Sequence, residues 1–168
     1  MKGVYLNKMD IVIREARVCD LDRLMTIENV TFPPKEAAER TTFEYRINNL
    51  KEWFLVAEIN GLVIGLINGR TTTTDVILDE LYDPINLPDG EYFALLCVET
   101  EPQWQRMGVA ETLIKFITNK AREKNLKGVI LACKDTLIPY YEKFGFEHVG
   151  ISASTHGGAI WNDMRLTF

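Results

Sequence analysis

Residues 105–110 read Gln105, Arg106, Met107, Gly108, Val109, Ala110, and what flanks them restricts the fold more than any other part of the chain. Upstream, Tyr92, Phe93, Ala94, Leu95, Leu96, Cys97 and Val98 make an apolar run of strand length. Downstream, Val109, Leu113, Ile117 and Ala121 recur at helical spacing, with Ile114 and Phe116 widening the stripe. A strand that turns through a glycine into an amphipathic helix leaves backbone N–H groups unpaired at the helix start. Those donors, with the positive end of the helix dipole, suit a phosphate or pyrophosphate. Gly108 keeps a Cβ out of the way of a close ligand, and Ala110 keeps the first turn slim. The run is not G-x-x-x-x-G-K-[ST], and it lacks the three glycines of the dinucleotide fingerprint. Neither an NTP nor NAD is therefore the ligand this turn describes.

The remaining elements follow from local patterns. Residues 10–17 alternate, with Ile11 and Ile13 against Val12 and Arg14, and predict a first strand. Asp20 is a candidate N-cap for a helix carrying Leu21, Leu24, Met25 and Ile27, which must stop by Phe32 because Pro33 and Pro34 cannot continue it. A second helix is expected after the prolines, carrying Ala37, Ala38, Phe43, Tyr45, Ile47 and Leu50. Asn60-Gly61 between two apolar runs (53–59 and 62–69) signals a β-hairpin. Residues 71–90, with four threonines, an acidic run and two prolines, form a connection of roughly 20 residues, long enough to read as a lid or substrate loop as readily as a solvated excursion. After the 109–121 helix come an all-apolar strand at 128–133, a short helix at 137–144 broken at Gly145, and two closing strands around His156, Gly157 and Gly158. The expected fold class is α/β (α+β): a mixed, mostly antiparallel sheet flanked by helices in the order β-α-α-β-β-β-α-β-α-β-β. Residues 1–9 read as an N-terminal extension and 10–168 as one domain.

A net charge of −5 and a pI near 5.1 argue against nucleic acid or an anionic membrane surface as main partner and are compatible with a cationic substrate. Cys19, Cys97 and Cys133 show neither a disulfide framework nor zinc spacing, and Cys97 and Cys133 read as small hydrophobes within strands. With no apolar segment of signal or membrane-span length, a reducing cytoplasm is the expected setting. A homodimer is compatible with this composition.

The element order, together with the turn at 105–110, resembles the GNAT superfamily of acyl-CoA-dependent N-acyltransferases, whose phosphate turn reads Q/R-x-x-G-x-G/A. A second block, Tyr140, Tyr141, Glu142, Lys143, Phe144, Gly145, Phe146, is similar to that family's "fYekfGF" ending. Within the superfamily, Cys133, Asp135, Leu137, Pro139 and Tyr141 resemble the arylalkylamine (serotonin) N-acetyltransferase branch, as do Ile27, Glu28 and Phe32.

The resemblance implies acetyl-CoA as cofactor and direct transfer of its acetyl group to a small primary amine, arylalkylamine-like or polyamine-like. The rivals are acylation of a protein, peptide or aminoglycoside, or a non-catalytic acyl-CoA-binding module. It implies that the amides of Gln105, Arg106, Met107, Gly108, Val109 and Ala110 take the pyrophosphate. The backbone of Val98, Glu99 and Thr100 would pair with the pantetheine arm as an added strand. Tyr141 matches the family's general acid; a phenol with a reference pKa of about 10 holds its proton at neutral pH and can give it to a thiolate. The family's base positions fall on Ala94 and Leu96, which take no proton. Substitutes are His156, Glu28 and Glu99, although Glu99 also reads as a solvated strand residue, and a water chain is a further route. Phe32 and His156 are expected to border the acceptor. Arg106 is the best placed cation for the nucleotide phosphates, ahead of Lys134 and Lys143, while Trp53 and Trp161 read as packing residues.

Overall fold

The computed structural model describes residues 10–168. The N-terminal extension expected at residues 1–9 lies outside the described residues. Seven strands form one sheet: β1 (Val12–Glu15), β2 (Phe54–Ile59), β3 (Leu62–Thr72), β4 (Tyr92–Thr100), β5 (Gly128–Cys133), β6 (Glu147–Ile151) and β7 (Asn162–Thr167). Their order is β1-β2-β3-β4-β5-β7-β6, antiparallel throughout except for the parallel pair β4/β5. The helices are α1 (Leu21–Thr31), α2 (Arg40–Leu50), α3 (Val109–Glu123) and α4 (Ile138–Glu142). The element order is the one the sequence predicts.

Both faces of the sheet are covered, which is why β2 and β3 read as nearly continuous apolar runs. On β2, Leu55, Ala57 and Ile59 face Val109, Leu113, Ile114, Ile117 and Ala121 of α3, while Phe54 and Val56 face Leu24, Ile27, Phe43 and Ile47 of α1 and α2. Trp53 belongs to the α3 side, stacked on Phe93 at 4.7 Å. Phe116, predicted to widen the buried stripe of α3, is instead 45% exposed. It lies past the edge of the sector that α3 turns toward the sheet.

Several local expectations shift by a turn or less. Helix α1 ends at Thr31 with Phe32 extended, as the two prolines require. Asp20 does not cap α1 through its side chain; its carboxylate accepts from Arg17 N (2.8 Å) and from Arg14 (2.8 and 2.9 Å), tying a short 3-10 turn to β1. Helix α2 begins at Arg40, so Ala37 and Ala38 stay in the preceding loop, where the Ala38 N–H donates to Glu28 Oε1 (2.7 Å). The segment after β3 is more ordered than predicted: Ile77 and Leu81 are buried against Ala94 and Ile130, with a 3-10 turn at Asp79–Tyr82.

Two departures from regular pairing shape the centre of the sheet. The β3/β4 register passes from Asn68↔Cys97 to Gly69↔Leu95, making Leu96 an extra, bulged residue on β4. A bulge of this kind changes which face the following side chains address. Phe93 and Leu95 pack on the α3 side, whereas Cys97 packs with α1 and α2. Beside the bulge, β4 and β5 separate: they pair only through Tyr92↔Gly128, Phe93↔Val129 and Ala94↔Ile130, although both strands run on.

Candidate active site

The gap between β4 and β5 opens into a cavity of about 460 Å³. Leu96, Cys97 and Val98 form one wall, and Leu131, Ala132 and Cys133 the other. Glu28 and Arg46 reach it from α1 and α2, and Tyr141 reaches it from α4 on the opposite side of the sheet. The cavity therefore crosses the sheet through the gap.

Backbone groups are presented to the gap by simple alternation. Glu101 N donates to Ile64 O (2.9 Å), so odd-numbered residues at this end of β4 direct their backbone groups to β3. Those of Val98 and Thr100 consequently point toward the side that β5 has left. Gln105 Nε2 meets Thr100 O there at 3.1 Å. The expected three-residue backbone strip is thus corrected: Val98 and Thr100 address the gap, while the Glu99 backbone belongs to the β3 ladder.

At the end of β4, Arg106 and Gly108 take positive φ (62° and 83°), turning the chain into α3. The first internal bond of α3 is Thr112 N to Gly108 O (3.0 Å), so the N–H groups of Val109 and Ala110 emerge from the helix end ahead of it. A Cβ built on Gly108 meets nothing within 4 Å. The turn is an open, electropositive cradle beside the outward-facing backbone of β4, which suits a long ligand with a pyrophosphate at one end. Arg106 and Met107 are exposed at its rim.

Tyr141 is 6% exposed, with its ring edge-on to Tyr140 (5.2 Å) and Phe146 (5.8 Å). Burial pushes its phenol well above the usual tyrosine range, so the hydroxyl facing the cavity stays protonated. Ala94 is fully buried under Ile77 and Leu81, and Leu96 is an apolar wall.

Carboxylates stand elsewhere. Glu28 is 2% exposed and lines the cavity. Behind it lies Glu99, also buried, which corrects the reading of Glu99 as a solvated strand residue: the bulge at Leu96 turns it toward α1. Desolvation first, then the neighbouring Glu28, holds Glu99 far above the usual carboxylate range. Cys97, expected to be a plain hydrophobe, donates its S–H to Glu99 Oε1 (2.5 Å), and burial raises its thiol as well. Donor atoms of Glu28, Cys97 and Glu99 fall within 4.8 Å of one another, yet the direct Cys97–Glu99 contact leaves no room for a cation between those two. The cluster reads as protons shared among buried groups, with Glu28 as its member on the cavity.

His156 borders the cavity, as expected. Its Nε2 lies 3.0 Å from Glu36 O and its ring stacks on Tyr82 (5.0 Å, 13°). Since the Glu36 carbonyl only accepts, Nε2 carries the hydrogen of that bond. Phe32 lines the same end of the cavity. Trp161, read as a packing residue, is a cavity wall whose Nε1 donates to His156 O (2.8 Å). Lys134 is drawn away from any phosphate: it pairs with Glu36 (2.7 Å) and lies over the Trp161 ring (5.7 Å). Sequence reasoning missed Arg46, Asp79 and Tyr82 altogether. For Arg46 no local signal existed, because its partners Asn68 Oδ1 (3.1 Å) and Tyr82 O (3.0 Å) come from distant segments.

Loops close over the acceptor end. Asp79 accepts from Ser154 Oγ (2.5 Å) and from Thr155 N (3.2 Å), joining the segment after β3 to the β6–β7 loop. Gly157 presses so close to the α1–α2 loop that an added Cβ would sit 2.6 Å from Glu36 Cγ and 3.1 Å from Lys35 O.

A sequence model of the acetyltransferase (GNAT) family matches residues 21–146. The chain is 29% identical over 147 residues to a probable hydrolase, YhcX, of Bacillus subtilis (strain 168), an alignment covering 82% of this chain and 28% of that protein. It is 24% identical over 116 residues to serotonin N-acetyltransferase of Mesocricetus auratus, covering 68% of this chain and 54% of the other. The chain thus spans under two thirds of the length of both relatives. Among solved structures, Arabidopsis thaliana Naa50 in complex with the bisubstrate analogue CoA-Ac-MVNAL superposes with a TM-score of 0.73 at 15% identity, covering 95% of this chain and 99% of the other.

Proposed function

We propose that this chain, a member of the acetyltransferase (GNAT) family, is an N-acetyltransferase that draws its acyl group from acetyl-CoA and passes it to a small primary amine of arylalkyl type. One observation carries the acceptor size. The acceptor end of the cavity is bridged by three contacts, His156 to Glu36, Lys134 to Glu36, and Asp79 to Ser154 and Thr155. A compact molecule fits behind such a bridge more readily than an extended chain. Phe32, Tyr82, Tyr141, His156 and Trp161 supply ring surface for an aryl group. The likeness to serotonin N-acetyltransferase supports the same acceptor class. The competing acceptor, a peptide α-amine, draws support from the fold shared with Naa50.

The open Gly108 cradle and the outward-facing backbone of Val98 and Thr100 fit the donor. Bound acetyl-CoA supplies the thioester that the amine attacks. Glu28, the cluster's member on the cavity, accepts a proton from the incoming ammonium, with Glu99 holding its own proton behind it. His156 holds the acceptor ring wall in place through Tyr82 and Trp161. A backbone N–H of β4, Val98 being the candidate, meets the oxygen on which negative charge develops. Tyr141 gives its proton to the departing sulfur. Acceptance and donation of protons thus occur on opposite sides of the sheet.

The test follows CoA thiol release with a panel of amines and of short peptides, for wild type and Tyr141→Phe. The expected outcome is turnover with arylalkylamines and a loss in kcat of roughly a hundredfold in Tyr141→Phe, the low end for general acid–base catalysis. The ring contacts to Tyr140 and Phe146 survive this change, so folding should not obscure the result. Turnover confined to peptides would refute the acceptor, and an unimpaired Tyr141→Phe would refute the acid.

A further inference from the structure

A buried carboxyl group and a buried guanidinium line the cavity. Glu28 is 2% exposed and Arg46 is 4% exposed, and no ion pair joins them or gives Arg46 another carboxylate among the described residues. Arg46 is held by neutral acceptors alone, Asn68 Oδ1 and the Tyr82 carbonyl, which engage two of its five N–H groups. Burial works against the Arg46 charge and the nearby Glu28 offsets it only in part, so a guanidinium with no carboxylate in ion-pair contact is costly and is retained where an anion arrives. The neighbouring acids do not supply one. Glu36 is committed to Lys134, Asp79 to Ser154 and Thr155, and Glu99 holds its proton. Glu39 and Asp83 are exposed at the mouth.

From this pairing of unmatched groups in one cavity we infer that the acceptor amine also carries a carboxylate: an aromatic α-amino acid, its ammonium at Glu28 and its carboxylate at Arg46. The inference rests on the small-amine reading above and narrows it. A zwitterion satisfies both buried groups at once, whereas the decarboxylated amine leaves the guanidinium bare. A single guanidinium, with the acids of the mouth nearby, favours a monoanionic carboxylate over a phosphate dianion. The ring wall of Phe32, Tyr82, His156 and Trp161 selects the aromatic side chain.

Matched pairs isolate the carboxylate. We would measure kcat/KM by CoA thiol release at saturating acetyl-CoA for L-phenylalanine against phenethylamine and L-tryptophan against tryptamine. L-phenylalanine methyl ester removes the negative charge, and because esterification also acidifies the ammonium, its rates are compared over a pH series and referred to the same fraction of free amine. The amino acid is expected to exceed both its amine and its ester by about tenfold or more, the effect of one charge-assisted hydrogen-bonded contact. In Arg46→Gln that preference ratio falls to near one, whatever becomes of the absolute rates, and Arg46→Lys restores part of it. Should Arg46→Gln fail to fold, the ester comparison in wild type still decides. Amines or ester used as well as the amino acid would overturn this inference and leave the small-amine reading standing. Turnover of peptides alone would overturn both.

Discussion

Replacing Glu99 by Gln tests the buried acid cluster directly, because it removes one titration while keeping shape. Glu99 is 2% exposed, its Oε2 has no hydrogen-bond partner, and desolvation followed by the Glu28 carboxylate raises its folded pKa far above the ordinary 4.5. The sign follows from linkage. The folded state keeps the Glu99 proton while the unfolded chain releases it above about pH 4.5, so stability is fully present below that value and falls as pH rises toward the raised pKa. One proton corresponds to about 1.4 kcal/mol per pH unit, or about 2.7 kcal/mol between pH 5.5 and 7.5. Glu99→Gln has no such slope. The stability difference, Gln minus wild type, should therefore grow by about 2.7 kcal/mol across that window; with an m-value of roughly 2 kcal/mol/M this is about 1.3 M in the urea midpoint. Groups common to both proteins, including the histidines and the Arg14-paired Asp20, cancel in the difference. Urea titrations followed by tryptophan fluorescence at pH 5.5, 6.5 and 7.5 measure it. A difference that stays constant with pH would mean that Glu99 is ionised in the folded protein, and the reading of the cluster as buried groups sharing protons would fall with it.

Two further substitutions probe the donor turn and the vacant strand positions. Gly108→Val meets no atom within 4 Å but must hold φ at 83°, so a folding cost of about 1–2 kcal/mol is expected, together with a raised KM for acetyl-CoA and little change in the acceptor KM. An unchanged acetyl-CoA KM would remove the turn from the donor site. Ala94→Glu places a carboxylate beneath Ile77, Leu81 and Ile130. It should cost about 3 kcal/mol or more in stability and fail to restore activity to Glu28→Gln, whereas a rescued double variant would show that position 94 can still serve as a base.

What the chain revealed in advance was what its local chemistry dictates. Pro33 and Pro34 end α1, Asn60-Gly61 turns a hairpin, and Gly108 starts α3, and each acts within a few residues of itself. The misreadings share another origin. Cys97 reads as a small hydrophobe and Glu99 as a solvated strand residue from their place in an apolar strand, and no local pattern registers the extra residue at Leu96, since the bulge exists only relative to β3. Arg46 draws no reading, because its burial and its partners Asn68 and Tyr82 are decided by other segments. Trp161 took a cavity position because the β6–β7 loop folds back on the α1–α2 loop at Gly157, a tertiary contact with no sequence periodicity.

The bulge and the gap also explain why no base stands at Ala94 or Leu96. The segment after β3 buries Ile77 and Leu81 on Ala94, so a carboxylate there would be sealed under an apolar cover rather than offered to substrate. Leu96 is the bulged residue itself, and its side chain forms part of the wall that the separating strands share. The same extra residue turns Cys97 and Glu99 toward α1, where Glu28 meets them at the cavity edge. Moving the acid chemistry one layer out, from strand to helix, follows from that geometry. Arg46, one helix further along and held by Asn68 and Tyr82, lines the same cavity, so an acceptor entering on this face meets both groups. Selection by charge would then occur on the α1–α2 side and proton return to sulfur on the α4 side, with the β4–β5 gap as the passage that joins them.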